Sequence, residues 1–147
     1  MNAPRTQIVQ IRNTPGVADL LEHGPCLPII VKDPDTGAKI KLKALIDTGA
    51  SASAVEFMAI DKLSPRSIGK ASFVMAQGEL LETDIYNLVL GFPGGAEVAL
   101  AVTGISNTAG ATDMLIGRDI LKFGSLIIDF ESGMFLLHLV LPDVILD

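Results

Sequence analysis

Apolar and polar residues alternate along most of this chain in runs of five to ten, and Gly, Pro, Asp and Asn separate the runs. A period of two is the signature of a strand with one face buried. It predicts strands over 6–12, 27–32, 39–46, 71–76, 80–90, 97–105, 114–116, 125–130 and 134–141. The stretch 13–28 holds three prolines and two glycines and reads as a loop. A short helix is expected over 56–63, stopped by Ser64-Pro65, and a helical turn over 118–122. Phe92-Pro93-Gly94-Gly95 and Glu131-Ser132-Gly133 read as turns, and 107–112 as a small polar loop. About nine short strands with one or two helical turns point to an all-β fold, closed or sandwiched.

At 147 residues the chain is one domain, long enough to bury a core without staples. Apolar residues make up 49% of it and the mean hydropathy is +0.48, while aromatics are 5% and Trp is absent. The core must therefore be aliphatic, and the apolar surplus hints at an oligomer interface. The net charge is −6, and no basic stripe or interleaved aromatic platform stands out, which argues against a nucleic-acid partner. The single Cys26 excludes an intrachain disulfide and a Cys-based metal cluster, and a half-buried inert thiol is expected. The first ten residues lack the apolar core of a signal peptide. The greasiest run, 134–141, is interrupted by His138, followed by Pro142 and too short to cross a bilayer. A cytoplasmic protein without membrane attachment is the expectation.

The chemistry concentrates in Asp47-Thr48-Gly49-Ala50-Ser51, which follows the apolar Ala44-Leu45-Ile46 and precedes Ala52-Ser53-Ala54-Val55. A carboxylate at the end of a buried strand is costly to ionise unless its surroundings compensate, and so is poised for proton transfer. Thr48 can hydrogen-bond locally, and Gly49 lets the backbone approach whatever the carboxylate faces. The same tetrapeptide recurs as Asp35-Thr36-Gly37-Ala38, but behind Asp33-Pro34 and between two strand-like runs, which is hairpin-turn chemistry. Only the second copy has an apolar strand leading into it. About seventy residues later stands a second element, Asp113-Met114-Leu115-Ile116-Gly117-Arg118-Asp119-Ile120-Leu121, an apolar run ending in Gly and then a short amphipathic stretch.

In that order and at that separation, 44–51 and 115–121 resemble the two motifs of the retropepsin-like aspartic proteases, the single-lobed relatives of pepsin. A glycine-containing turn between them, Ala76-Gln77-Gly78-Glu79, lies where that family carries its flap. The resemblance covers roughly 27–139; residues 27–147 would form the protease domain and 1–26 an N-terminal extension. It implies a closed β-barrel, an obligate homodimer with the active site on its twofold axis, and catalysis by Asp47 with no metal or cofactor. A pair of carboxylates sharing one proton can act as base and acid together. This chain is too short for two lobes, so the second carboxylate must come from another copy. By the same resemblance Thr48 would bond across the axis, Gly49 and Ala50 would line the cleft floor against an extended polypeptide substrate, and Ser51 would support the active site beside them. Ile116 and Gly117 would pack beneath the Asp47 loop, with Arg118 supporting it, and Met75, Ala76, Gln77 and Gly78 would cover the substrate.

Many viral members carry an acidic residue where this chain has Ser51, paired with the arginine that matches Arg118. Arg118 must then pair with Glu56 or Asp129, or be solvated. His138 is expected in the core or at an interface, and His23 and His138 have no partner at metal or nucleophile spacing. Asp33, Asp35, Asp113, Asp119 and Asp129 are not spaced as a calcium loop and read as turns or caps. The strand 135–141 serves either the core or a dimer interface, the latter being favoured. A non-catalytic peptide-binding or dimerisation module on the same fold is the alternative to an endopeptidase.

Overall fold

Two strands, β2 (Cys26–Lys32) and β3 (Lys39–Ile46), set the pattern for the whole molecule. Leu27, Ile29 and Val31 on one and Leu42, Ala44 and Ile46 on the other are buried, while Pro28, Ile30, Lys39, Lys41 and Lys43 alternate with them on the outside. Period-two patterning thus decides which face each strand buries. The computed structural model describes residues 6–74, 77–106 and 112–146. The hairpin turn is the first Asp-Thr-Gly-Ala copy. The buried Asp33 carboxylate accepts from Asp35 N–H and from Thr36 Oγ1, both at 3.0 Å, and Gly37 adopts φ +78°. That copy is a turn, as read.

The remaining strands are β1 (Thr6–Asn13), β4 (Ala54–Glu56), β5 (Ser67–Val74), β6 (Leu80–Gly91), β7 (Glu97–Ile105), β8 (Met114–Ile116), β9 (Gly124–Asp129) and β10 (Met134–Pro142). Three short helices join them: α1 (Val17–His23), α2 (Phe57–Leu63) and α3 (Arg118–Leu121). The order β2-β3-β8-β4-β7-β6 closes on itself through a β2–β6 pairing, giving a six-stranded barrel with β5 hydrogen-bonded outside β6. Closure gives each of the six strands a neighbour on both sides, β8 meeting β3 over Ala44–Ile46 and β6 meeting β2 over Ile30–Lys32. Two pairings are parallel, β3 with β8 and β4 with β7; they bring two distant segments beside the end of β3.

A second sheet, β1-β10-β9, is antiparallel and carries both ends of the described chain. Its inner residues Val9, Ile11, Phe135, Leu137, Leu139 and Leu141 join the barrel's apolar core. The segment read as an N-terminal extension therefore contributes β1 along the whole of β10, and α1 beside it. In β10 the alternate residues are core, whereas His138 is exposed, so of the two places expected for it, core or interface, the core is excluded. The pleat explains this: His138 has the parity of Leu136 and Val140, opposite to the buried set.

Two elements were not legible in the pattern. Helix α1 lies in the stretch read as a loop; only Leu20 is buried in it, and one anchor gives no periodicity to detect. Strand β4 has three residues and was hidden in the small-residue run after Ser51. The count is ten strands and three helices among the described residues, against about nine and one or two.

Candidate active site

The chain leaves β3 at Ile46 and turns at once. Asp47 N–H donates to the Ile116 carbonyl at 2.9 Å, one last rung of the parallel β3–β8 ladder, and Ala50 N–H closes the turn on the Asp47 carbonyl at 3.2 Å. The Asp47 carboxylate accepts Gly49 N–H at 2.9 Å through Oδ1. A side chain at Gly49 would start 3.1 Å from that oxygen, so the small residue keeps the carboxylate's approach clear. Asp47 is half-buried rather than buried, and Thr48, Gly49 and Ser51 are exposed. The sequence placed it inside because the strand before it is apolar; the turn carries it out to the barrel rim.

What holds this loop comes from the second motif. Gly117 sits directly beneath it: a Cβ there would meet the Ala52 carbonyl carbon at 2.7 Å and the Ala50 oxygen at 2.9 Å. Arg118 N–H donates to the Ala50 carbonyl, and its Nη1 donates to the Thr48 carbonyl, each at 2.8 Å. Neither Glu56 nor Asp129 is the partner of Arg118. The missing acidic residue at position 51 is replaced by a main-chain oxygen, and Asp129 instead accepts from Glu131 and Ser132 N–H in its own turn.

Two residues of this support were not picked out from sequence. Ser53 is fully buried; its N–H and Oγ both donate to the Asp119 carboxylate, at 2.9 and 2.8 Å, and its Oγ accepts Gly117 N–H at 3.0 Å. Asp119, read as a solvated cap, is thus the clamp between the two motifs. Its position directly after Gly117-Arg118 was the available signal, but nothing local says that it faces Ser53.

Asp47 opens on a groove of about 620 Å³ whose apolar walls are Ala52, Phe73, Val74, Leu81, Ile105 and Leu115. Gly49, Ala50 and Ser51 line it with Asp47, whereas Thr48 and Arg118 lie on the other side of the loop beside Leu121 and Leu126. Phe73 and Leu81 face each other across the β5–β6 hairpin, which overhangs the groove. Of the four expected covering residues, Gln77 and Gly78 are exposed in the turn of that hairpin, Gly78 with φ +85°, and Met75 and Ala76 lie outside the described residues. Among the described residues no cluster of three His, Cys, Asp or Glu side chains is placed to hold a metal ion. Among the same described residues no helix is long and apolar enough to cross a membrane.

No family model and no curated protein matches the sequence. Solved structures do match the fold. A retropepsin-like aspartic protease from Rickettsia conorii is similar over 97% of this chain and 99% of its own, with a TM-score of 0.53 at 19% identity. EIAV protease, solved with the inhibitor HBY-793, is similar over 67% of this chain and 85% of its own, with a TM-score of 0.52 at 20% identity. The fold is therefore the retropepsin-like β-barrel expected from the two motifs.

Proposed function

We propose that this protein is an aspartic endopeptidase whose working unit pairs two copies of the chain, each supplying Asp47. One observation carries the reading. A lone carboxylate opens on an apolar groove, and no second carboxylate lines that groove among the described residues. A single carboxyl group cannot serve as base and acid in one step, whereas two held near each other share one proton and do both. A twofold axis beside the Asp47 loop supplies the second by symmetry. The ionised Asp47 takes a proton from water as that water attacks the peptide carbonyl; its protonated twin stabilises the developing oxyanion and then protonates the leaving amine. Thr48, exposed on the side of the loop away from the groove, is the residue to bond across the axis. Arg118, Gly117 and Ile116 fix the loop, and Gln77 and Gly78 in the hairpin turn cover an extended substrate.

The walls formed by Phe73, Val74, Leu81 and Ile105 favour apolar side chains beside the scissile bond. Cleavage of such peptides at pH about 4–6 tests the reading, because there one proton per carboxylate pair is expected. Wild type cuts and Asp47→Asn does not, and sedimentation finds the active species to be a dimer. Equal cleavage by both proteins overturns the assignment. Peptide binding by a dimer that never cuts establishes the non-catalytic alternative.

A further inference from the structure

On the outside of the barrel, away from Asp47, the pleat of β3 lines up Lys39, Lys41 and Lys43. The chain is acidic overall and showed no basic stripe as a string of letters, yet four of its eleven Lys and Arg residues fall within 32–43. Cross-strand register sets Lys43 against Pro28, Lys41 against Ile30 and Lys39 against Lys32. Lys32 is engaged, 3.6 Å from Glu97, and Asp35 at the hairpin tip lies 4.0 Å from Arg66. Asp33 is buried in the turn, and Asp113 accepts from Lys43 N–H rather than from its ammonium. Among the described residues no carboxylate pairs with Lys39, Lys41 or Lys43. Three like charges in a row repel one another unless something negative covers them.

Two shallow grooves flank the row, of about 380 and 470 Å³, and Pro28 and Lys41 line both. The first adds the half-exposed Ile30 and Pro93, the second Cys26 and Leu27. Neither groove shares a residue with the Asp47 groove. We propose that this face docks an extended acidic segment of a partner polypeptide, its carboxylates at alternate residues meeting Lys39, Lys41 and Lys43. The spacing argues for that occupant. Alternate residues repeat every ~6.4–6.8 Å in the strand and in an extended peptide alike, so carboxylates at i, i+2 and i+4 fall in register with the three ammonium groups. The apolar Pro28, Ile30 and Pro93 suit a peptide's other side chains, whereas a nucleic acid would want an exposed aromatic, and Phe92, the one aromatic lining either groove, is buried. β3 pairs with β8 only over Ala44–Ile46 and β2 with β6 only over Ile30–Lys32, so it is the side-chain row, whatever the main-chain edge adds, that selects an acidic segment.

The test uses the full chain carrying Asp47→Asn, so that no cleavage consumes the probe. Fluorescence anisotropy follows a labelled peptide with glutamate at alternate positions among valine and threonine, beside its glutamine counterpart. The glutamate peptide binds, more weakly as salt rises. Each exposed pair supplies a factor of about two, so the triple Lys39→Ala, Lys41→Ala, Lys43→Ala variant binds about tenfold more weakly. Replacing the same three by glutamate abolishes binding. All three side chains are exposed, and unchanged thermal melts confirm that the variants fold. The proposal is overturned if neither peptide binds, if the glutamine peptide binds equally, or if the triple variants bind as wild type does. Tighter binding of oligothymidylate or phosphatidylserine vesicles than of the glutamate peptide overturns it as well.

Discussion

Replacing Asp119 by alanine probes the clamp between the two motifs most directly. The carboxylate accepts from Ser53 N–H at 2.9 Å and from Ser53 Oγ at 2.8 Å, and also from Ile120 N–H at 2.9 Å. Ser53 is fully buried, so its donors cannot turn to water when the acceptor goes. A hydrogen bond to a charged acceptor contributes about 1.5–3 kcal/mol, and an orphaned buried donor costs about 1–3 kcal/mol. Asp119 is itself half-buried, which admits some water and favours the low end of that range. Two lost bonds at the low end give a destabilisation of about 3 kcal/mol, a large part of a domain's total of about 5–15 kcal/mol. With a urea m-value of about 2 kcal/mol/M, the unfolding midpoint falls by about 1.5 M. Asp119→Asn keeps one acceptor oxygen and loses about half as much. Ser53→Ala combined with Asp119→Ala in a double-mutant cycle shows a coupling of at least about 1 kcal/mol. A midpoint for Asp119→Ala within about 0.3 M of wild type, less than about 0.6 kcal/mol at that m-value, would refute the clamp.

Gly117→Ala destabilises by about 3 kcal/mol or more, because all three atoms its methyl would meet are main-chain atoms of Ala50 and Ala52 that cannot swing away; denaturation measures it, and a loss under about 1 kcal/mol contradicts the close packing beneath the loop. Burial pushes the Cys26 thiol above its ordinary range, with Asp19 adding to the rise and Lys43 opposing it. A raised value keeps the neutral thiol as pH increases, so the profile of alkylation rate against pH is displaced upward from that of a free cysteine in the unfolded chain. A coincident or lower profile removes the burial argument.

The two motifs of the candidate site could be read before any fold was known, because their information is local. An apolar run that delivers Asp-Thr-Gly to its end, and a later run ending in Ile116-Gly117, are patterns of neighbours in sequence. Flanks alone separated the Asp47 copy from the Asp35 turn. Period two likewise marked β2, β3, β7 and β10 as strands, and their register is firmly held because a one-residue slip would expose every buried side chain.

The partners of those residues were another matter. Arg118 was given Glu56, Asp129 or solvent, and it is exposed yet donates to the Thr48 carbonyl seventy residues away. Any residue offers that acceptor, so no sequence marks it. Asp119 meets Ser53 across sixty-six residues because two parallel pairings, β3 with β8 and β4 with β7, carry their segments to one end of the barrel. Helix α1 and strand β4 are held by neighbours and not by their own periodicity, with one buried residue in the first and three residues in the second. Composition spoke for an acidic chain without a basic stripe, while the pleat of β3 gathered three lysines on one face. Local order follows from side-chain period and turn chemistry; which distant groups meet is fixed by how the strands pair.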